Sequence, residues 1–198
     1  MTIIALLILI LSIVAHEVAH GFAALWQGDR TARDAGRLTL NPIPHIDIVG
    51  SIILPVFMYM TGMPFLFGYA KPVPINPYNF RNIKYGEALV AFAGPLVNII
   101  FVAIFTTILH TVTLSAEYIQ VIYVIILTNL VLAIFNLMPI PPLDGSKIMF
   151  AFIPQKFYRF RKSLEGKGFL FWFIIIILIW TVFQPVTYWI FDKLVSRV

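Results

Sequence analysis

The chain has 198 residues, 60% hydrophobic and only 12% charged. A soluble domain carries about a quarter charged residues, so this composition excludes one and marks an integral membrane protein of one compact domain, residues 1–198. The net charge of +5 does not point to nucleic acid, because basic residues in a membrane protein set its topology, and the lack of cysteine excludes disulfides and metal–thiolate sites.

Thr2 to Trp26 is an apolar run long enough to span a bilayer, closed by Gly28-Asp29. It has no positive start and carries ionisable residues of its own, so signal-peptide cleavage is not expected. Arg30 to His45 is a polar connection. Ile46 to Tyr69 is apolar but broken by Gly50, Pro55, Gly62, Pro64 and Gly68. A straight helix is expected from about Asp47 to Met60, followed by a re-entrant or irregular stretch, which lipid tolerates only against protein or a watery cavity. Lys71 to Lys84 is rich in Pro and Asn and reads as extended strand and turn.

Tyr85 to His110 is a strong span. Its Ala93-Gly94-Pro95 should kink or thin it, and Asn98 follows. Tyr118 to Met138 is the next span, with Asn129 and Asn136 as its polar residues. Pro139, Pro141 and Pro142 break the chain just before Asp144, and Gly145 to Ile153 reads as a short helix. The loop 154–167 is basic, with Lys156, Arg159, Arg161, Lys162 and Lys167, and suits contact with lipid headgroups. Gly168 to Phe191 is the last span, bent or ended near Pro185. The fold class is therefore an all-α polytopic membrane protein. It has about four to five transmembrane helices and a re-entrant or β-like segment around residues 60–84.

Suppose the first span runs inward and 46–69 dips in and returns. The inner segments 27–45, 71–84 and 139–167 then carry three, three and six Lys/Arg, twelve of the fourteen in the chain. Only Lys193 and Arg197 fall outside. The positive-inside rule supports this orientation, which puts the His20 end of the first span and the Asp144 loop on the cytoplasmic side of a cell membrane.

Within the first span stands His16-Glu17-Val18-Ala19-His20, H-E-x-x-H. Ionisable side chains inside a membrane helix are costly and usually mark function. Residues four apart share a helix face, so His16 and His20 can offer ring nitrogens to one cation. Neutral imidazole is a good zinc ligand. Glu17 is turned roughly 100° away, beside the metal, where it can take a proton from an attacking water. A catalytic zinc wants three protein ligands and one open position. His110 lies at the outer end of its span and reads as interfacial. His45 reads as a local structural residue or a hydrogen-bond partner of a ligand. Asp144 lies on the correct side, where spacing leaves a zinc ligand and a helix N-cap as equal readings.

Three motifs carry a resemblance. His16-Glu17-x-x-His20, Gly94-Pro95-x-x-Asn98 and Asn136-x-x-Pro139-x-Pro141-Pro142-Leu143-Asp144-Gly145 together resemble the site-2 protease family of intramembrane zinc metalloproteases. Asn41-Pro42-x-Pro44-His45-Ile46-Asp47 and Gly68-Tyr69-Ala70-Lys71-Pro72-Val73-Pro74-x-Asn76-Pro77 resemble motifs of its small bacterial and archaeal branch. The likeness runs from about residue 10 to 150. It implies one Zn2+ per chain, bound by His16, His20 and Asp144, with Glu17 as general base. Ile48 stands where that branch's pattern has Pro. An inserted PDZ or nucleotide-binding regulatory domain is not expected.

The expected reaction is hydrolysis of peptide bonds in or near transmembrane segments of other membrane proteins. Asn136, two helical turns before Asp144, is the candidate donor to the tetrahedral oxyanion, with helix–helix hydrogen bonding as its other reading. Asn98 has the same two readings. Lys71 to Asn76 could add a strand to an unwound substrate or simply cover the site. A membrane metal transporter and a non-catalytic adaptor with structural zinc are the alternatives. The expected partners are a transmembrane protein substrate and the bilayer, with no nucleic acid.

Overall fold

Helix α1, Thr2–Trp26, is a 25-residue run with no proline and no charged side chain before Glu17. At 1.5 Å per residue it is about 38 Å long, more than the ~30 Å hydrocarbon core. It belongs to a computed structural model that describes residues 2–53, 56–57, 60–61, 70–82, 85–154, 166 and 168–196. Gly28 stops the helix. Its φ of 106° lets Gly28 N–H reach Leu25 C=O (3.0 Å) and Asp29 N–H reach Ala24 C=O (2.9 Å). This paired closure needs a left-handed residue, which glycine adopts without strain. The short helix α2, Thr31–Asp34, closes the same way on Gly36, with φ 66°.

The chain then crosses a 3-10 turn at Ile43–His45 and wide π-helical turns over Ile48–Ile53. The straight helix expected from 47 to 60 thus starts as a wider coil. The expected re-entrant stretch at 62–69 lies outside the described residues. Residues 70–76 are extended and have no ladder partner among the described residues, and Pro77–Asn79 form a 3-10 turn. Pro72 and Pro74 favour extended backbone at Lys71 and Val73 and remove two N–H groups, and none of this stretch forms a strand among the described residues.

Helix α3, Gly86–Thr111, and helix α4, Ala116–Leu137, follow. Pro95 lies inside α3 without ending it. Three prolines then turn the chain into the short helix α5, Asp144–Phe152. The last helix, α6, is Phe169–Val195 and runs through Pro185, which neither ends nor interrupts it. A proline in lipid frees one carbonyl and leaves the flanking backbone no better partner than the helix itself.

Four helices among the described residues are long and apolar enough to cross a membrane: Ile3–Trp26, Gly86–Thr111, Ala116–Leu137 and Ile174–Val195. The protein is a multi-pass integral membrane protein. Helices α1, α3 and α4 pack on one another, and α5 lies against α3. Val102 and Leu109 of α3 meet Ile122, Ile126 and Leu130 of α4, with Ile190 and Leu194 of α6 closing that cluster. Nearer the other end, Trp172, Ile176 and Trp180 of α6 cover Met138, Ile140 and Leu143 of the proline loop. Elsewhere α1 and α6 expose large apolar residues such as Ile3 (75%) and Val182 (68%). Lipid is as apolar as those side chains, so this exposure suits a bilayer.

Candidate metal centre

Helix α1 stacks His16 over His20, with ring planes at 86° and Nε2 atoms 3.0 Å apart. The proline loop and α5 bring Asp144 to them from 128 residues away. Its Oδ2 lies 3.2 Å from His16 Nε2 and 3.1 Å from His20 Nε2. All three residues are buried. Leu143, not Asp144, holds the helix N-cap position, and the carboxylate faces the imidazoles instead.

The two ring nitrogens that face away settle the tautomers. His20 Nδ1 lies 2.7 Å from the Val90 carbonyl, which only accepts, so Nδ1–H donates. His16 Nδ1–H donates to Asn98 Oδ1 at 2.6 Å. A neutral imidazole protonated at Nδ1 carries its lone pair on Nε2. Two Nε2 lone pairs and a carboxylate oxygen therefore converge in a triangle with edges of 3.0 to 3.2 Å. Such a triangle repels itself unless a cation lies among its members. Ligands about 2.0–2.1 Å from a tetrahedral zinc lie roughly 3.3 Å apart, so the donor set fits zinc in chemistry and in size.

Other features serve the same triangle. A Cβ on Gly94 would stand 2.5 Å from His20 Nε2 and 2.6 Å from His16 Nε2, so only glycine leaves that face of α3 clear. A Cβ on Gly145 would run into the Leu137 carbonyl, so glycine lets α5 start tight against the end of α4. Lys147 reaches Asp144 Oδ1 at 3.4 Å, which turns Oδ2 toward the histidines.

Glu17 is half-buried, and its carboxylate and the histidine nitrogens lie within 4.8 Å of one another. Its Oε2 accepts the Val73 N–H at 2.9 Å. Gly21 permits that approach, since a Cβ there would meet Leu38 at 2.5 Å and Val73 at 3.1 Å. A cavity of about 400 Å³ opens beside this group, walled by Val73, Ile75, Phe80, Val90 and Leu143.

The remaining sequence candidates are placed as follows. Asn136 lines the cavity, with one amide N–H on the Leu132 carbonyl at 2.9 Å. Asn98 stands behind His16 and presents its oxygen to the ring, which is a ligand-orienting geometry rather than an oxyanion-donating one. His45 is buried away from the cavity, with Nε2–H on the Thr39 carbonyl at 3.0 Å and Nδ1 3.5 Å from Arg37. Lys71 exposes its side chain and ties its backbone to the His45 carbonyl and to Arg37. Asn76 caps the turn at Pro77–Asn79. His110 is exposed and donates to the Leu194 carbonyl of α6 at 2.7 Å, and it does not line the cavity. The basic run 155–165, with Lys167, lies outside the described residues.

Sequence reading missed Asp29. It is fully buried and accepts from Thr31 N–H, Thr31 O–H, Asn76 N–H and Asn79 Nδ2–H. Burial alone would raise its carboxyl, but these donors lower it below its ordinary value of 3.8. It bolts the extended stretch to the end of α1. An Asp directly after a helix-closing glycine was the available signal. Val73 N–H and Val90 C=O were also missed, because backbone groups leave no mark in composition.

Two buried imidazoles and a carboxylate converge on one point among helices long and apolar enough to cross a membrane, a donor set that could hold a metal ion. Comparison with known proteins narrows the class. The profile described as "Peptidase family M50" matches residues 111–180. "Putative zinc metalloprotease YwhC" of Bacillus subtilis is 36% identical over 178 residues, 85% of this chain and 78% of the relative. "Putative zinc metalloprotease Rip2" of Mycolicibacterium smegmatis is 29% identical, covering 92% of this chain and 71% of the relative. "Zinc metalloprotease MJ0392" of Methanocaldococcus jannaschii is 24% identical over 80% of this chain and 37% of the relative. No solved structure matches. The chain belongs to peptidase family M50, the site-2 protease family. It is a metalloprotease with a zinc cofactor and a protein substrate.

Proposed function

We propose that this chain cleaves peptide bonds within or next to transmembrane segments of other membrane proteins. In this reading zinc is held by His16, His20 and Asp144, and Glu17 is the general base. The observation that carries it is the converging triangle of two Nε2 atoms and Oδ2, buried among membrane-crossing helices. The residues 1–198 act as one membrane-embedded protease domain. The site opens toward the cytoplasm, supported by twelve of fourteen basic residues on that side.

Zinc bound there supplies a Lewis acid to the scissile carbonyl and to water. The chain's own residues do the rest. Val73 N–H holds Glu17 by Oε2, which leaves Oε1 to take a proton from the attacking water and return it to the leaving amine. The second amide N–H of Asn136 supports the oxyanion. A transmembrane helix hides its peptide bonds, so the substrate must be unwound to be cut. Ile75 lines the cavity, and its backbone N–H and C=O have no partner among the described residues, which suits them to pair with an extended substrate.

The test uses the purified chain in detergent. The probe is a single-pass reporter whose membrane segment carries helix-weakening Gly and Pro, with and without a zinc chelator. Glu17→Gln should lower cleavage by about 10²–10⁴-fold with zinc content unchanged. Cleavage that survives Glu17→Gln, or that persists after zinc is stripped, would sink the mechanism.

A further inference from the structure

Behind His16 runs a hydrogen-bonded chain that the mechanism above does not use. His16 Nδ1–H donates to Asn98 Oδ1 at 2.6 Å. Asn98 Nδ2–H donates to Asn129 Oδ1 at 2.8 Å. Asn129 Nδ2 donates to Ser12 Oγ at 3.0 Å and to the Ile125 carbonyl at 2.9 Å. Asn98 and Asn129 are fully buried, and Ser12 is 4% exposed. The chain links α1, α3 and α4 and returns to α1 one turn before His16.

Its direction is not arbitrary. The Ile125 carbonyl can only accept, so the Asn129 nitrogen lies on that side and its oxygen faces Asn98. Asn98 must then give its nitrogen to Asn129 and its oxygen to His16. An acceptor at that point forces the proton onto His16 Nδ1 and leaves Nε2 with its lone pair. Amides cannot be told from sequence or shape which way to point, so something must anchor them, and here a backbone carbonyl does. Both Asn129 amide hydrogens and its oxygen are used, so turning it over would break contacts at both ends.

We propose that Asn129 and Ser12 are remote positioning residues for the zinc ligand His16, acting through Asn98. They touch neither metal nor substrate. They hold the Asn98 amide in the one orientation that keeps His16 Nε2 unprotonated and aimed at its two fellow ligands. Outer partners of metal-bound histidines commonly weigh about 10–100-fold in metal affinity. Here that influence extends one further residue, across a third helix. The inference rests on His16 being a zinc ligand, as proposed above.

The test has two readouts on the full chain in detergent. The first is ¹⁵N-histidine NMR of the metal-free protein, which reports the His16 tautomer without activity or zinc. The second is zinc affinity by chelator competition. Asn129→Leu should mix the His16 tautomers and weaken zinc about 10-fold. Asn129→Asp should preserve both, because in either protonation state it still offers an oxygen to Asn98. The Asn98→Leu, Asn129→Leu pair should bind zinc no more weakly than Asn98→Leu alone, since one residue acts through the other. Should the Leu variant not fold, Asn129→Ala, a better helix former, replaces it. A folded variant with the tautomer unmoved and zinc affinity within about twofold overturns the proposal, as do additive losses in the double variant. His16→Ala separates the premise. If zinc affinity does not fall there, the ligand assignment fails and the inference with it; if it falls while the relay variants change nothing, the inference fails alone.

Discussion

The two walls of the cavity are built by different physics. The helical wall orients His16 and His20 through neutral partners, an Asn amide and a backbone carbonyl, among α1, α3 and α4. The extended wall, residues 70–80, has no ladder and little core of its own among the described residues. It hangs on ionic bolts: Asp29 at one end, Arg37 at the other and Glu17 between. Neutral acceptors orient the two rings without burying more charge, whereas Asp29 and Arg37 anchor the other stretch from beyond the end of α1. The helical wall therefore orients His16 and His20, and the extended wall orients Glu17.

The largest effect should come from breaking the helical wall at its closest approach. Gly94→Ala puts a methyl where two Nε2 atoms already converge. Those rings cannot step aside, because each is tied from behind at 2.6 to 2.7 Å. Zinc affinity should fall by at least about 100-fold, beyond the loss of a single outer partner. Chelator competition measures it, and near-normal affinity would show that the rings are looser than these bonds imply.

Val73→Pro sharpens the contrast from the other side. It deletes one N–H in a stretch already extended and flanked by prolines. A hydrogen bond to a charged group contributes about 1.5–3 kcal/mol, so kcat should fall about 10–100-fold with zinc affinity unchanged. Val73→Ala, which keeps the N–H, should retain most of kcat. A fall in zinc affinity, or an equal loss in both variants, would mean that the two walls are not separable in this way.

The same contrast decides what could be read from residues alone. Helix α1 was legible to its ends, because apolar composition and a closing glycine are local signals. The pairing of His16 with Asp144 was not, since spacing left Asp144 between ligand and cap, and only a family likeness joined residues 128 apart. Asn98, Asn129 and Asn136 looked alike on paper. Helix rotation, set by packing, turns the first two into the support of His16 and leaves the third beside the cavity. Pro185 did not end its helix, because the rule that proline ends helices presumes water ready to take the freed groups.

The smallest expected effect lies at the outermost bolt and depends on pH. Asp29 has a folded pKa below its ordinary value of 3.8, so its contribution is complete above that value and is lost as pH falls through the lower, folded one. Hydrogen exchange at the Asn76 and Val73 amides should accordingly stay slow down to about pH 4 and accelerate only below it. Asp29→Asn keeps an acceptor for Thr31 but turns an N–H toward the Asn76 N–H. It should cost about 1–3 kcal/mol, speed exchange at Asn76 at neutral pH and remove the acid dependence. The change should reach Val73 and hence kcat, yet leave zinc affinity alone, because no ligand hangs on this bolt. If zinc affinity fell with it, the extended wall would be carrying the metal as well as the base.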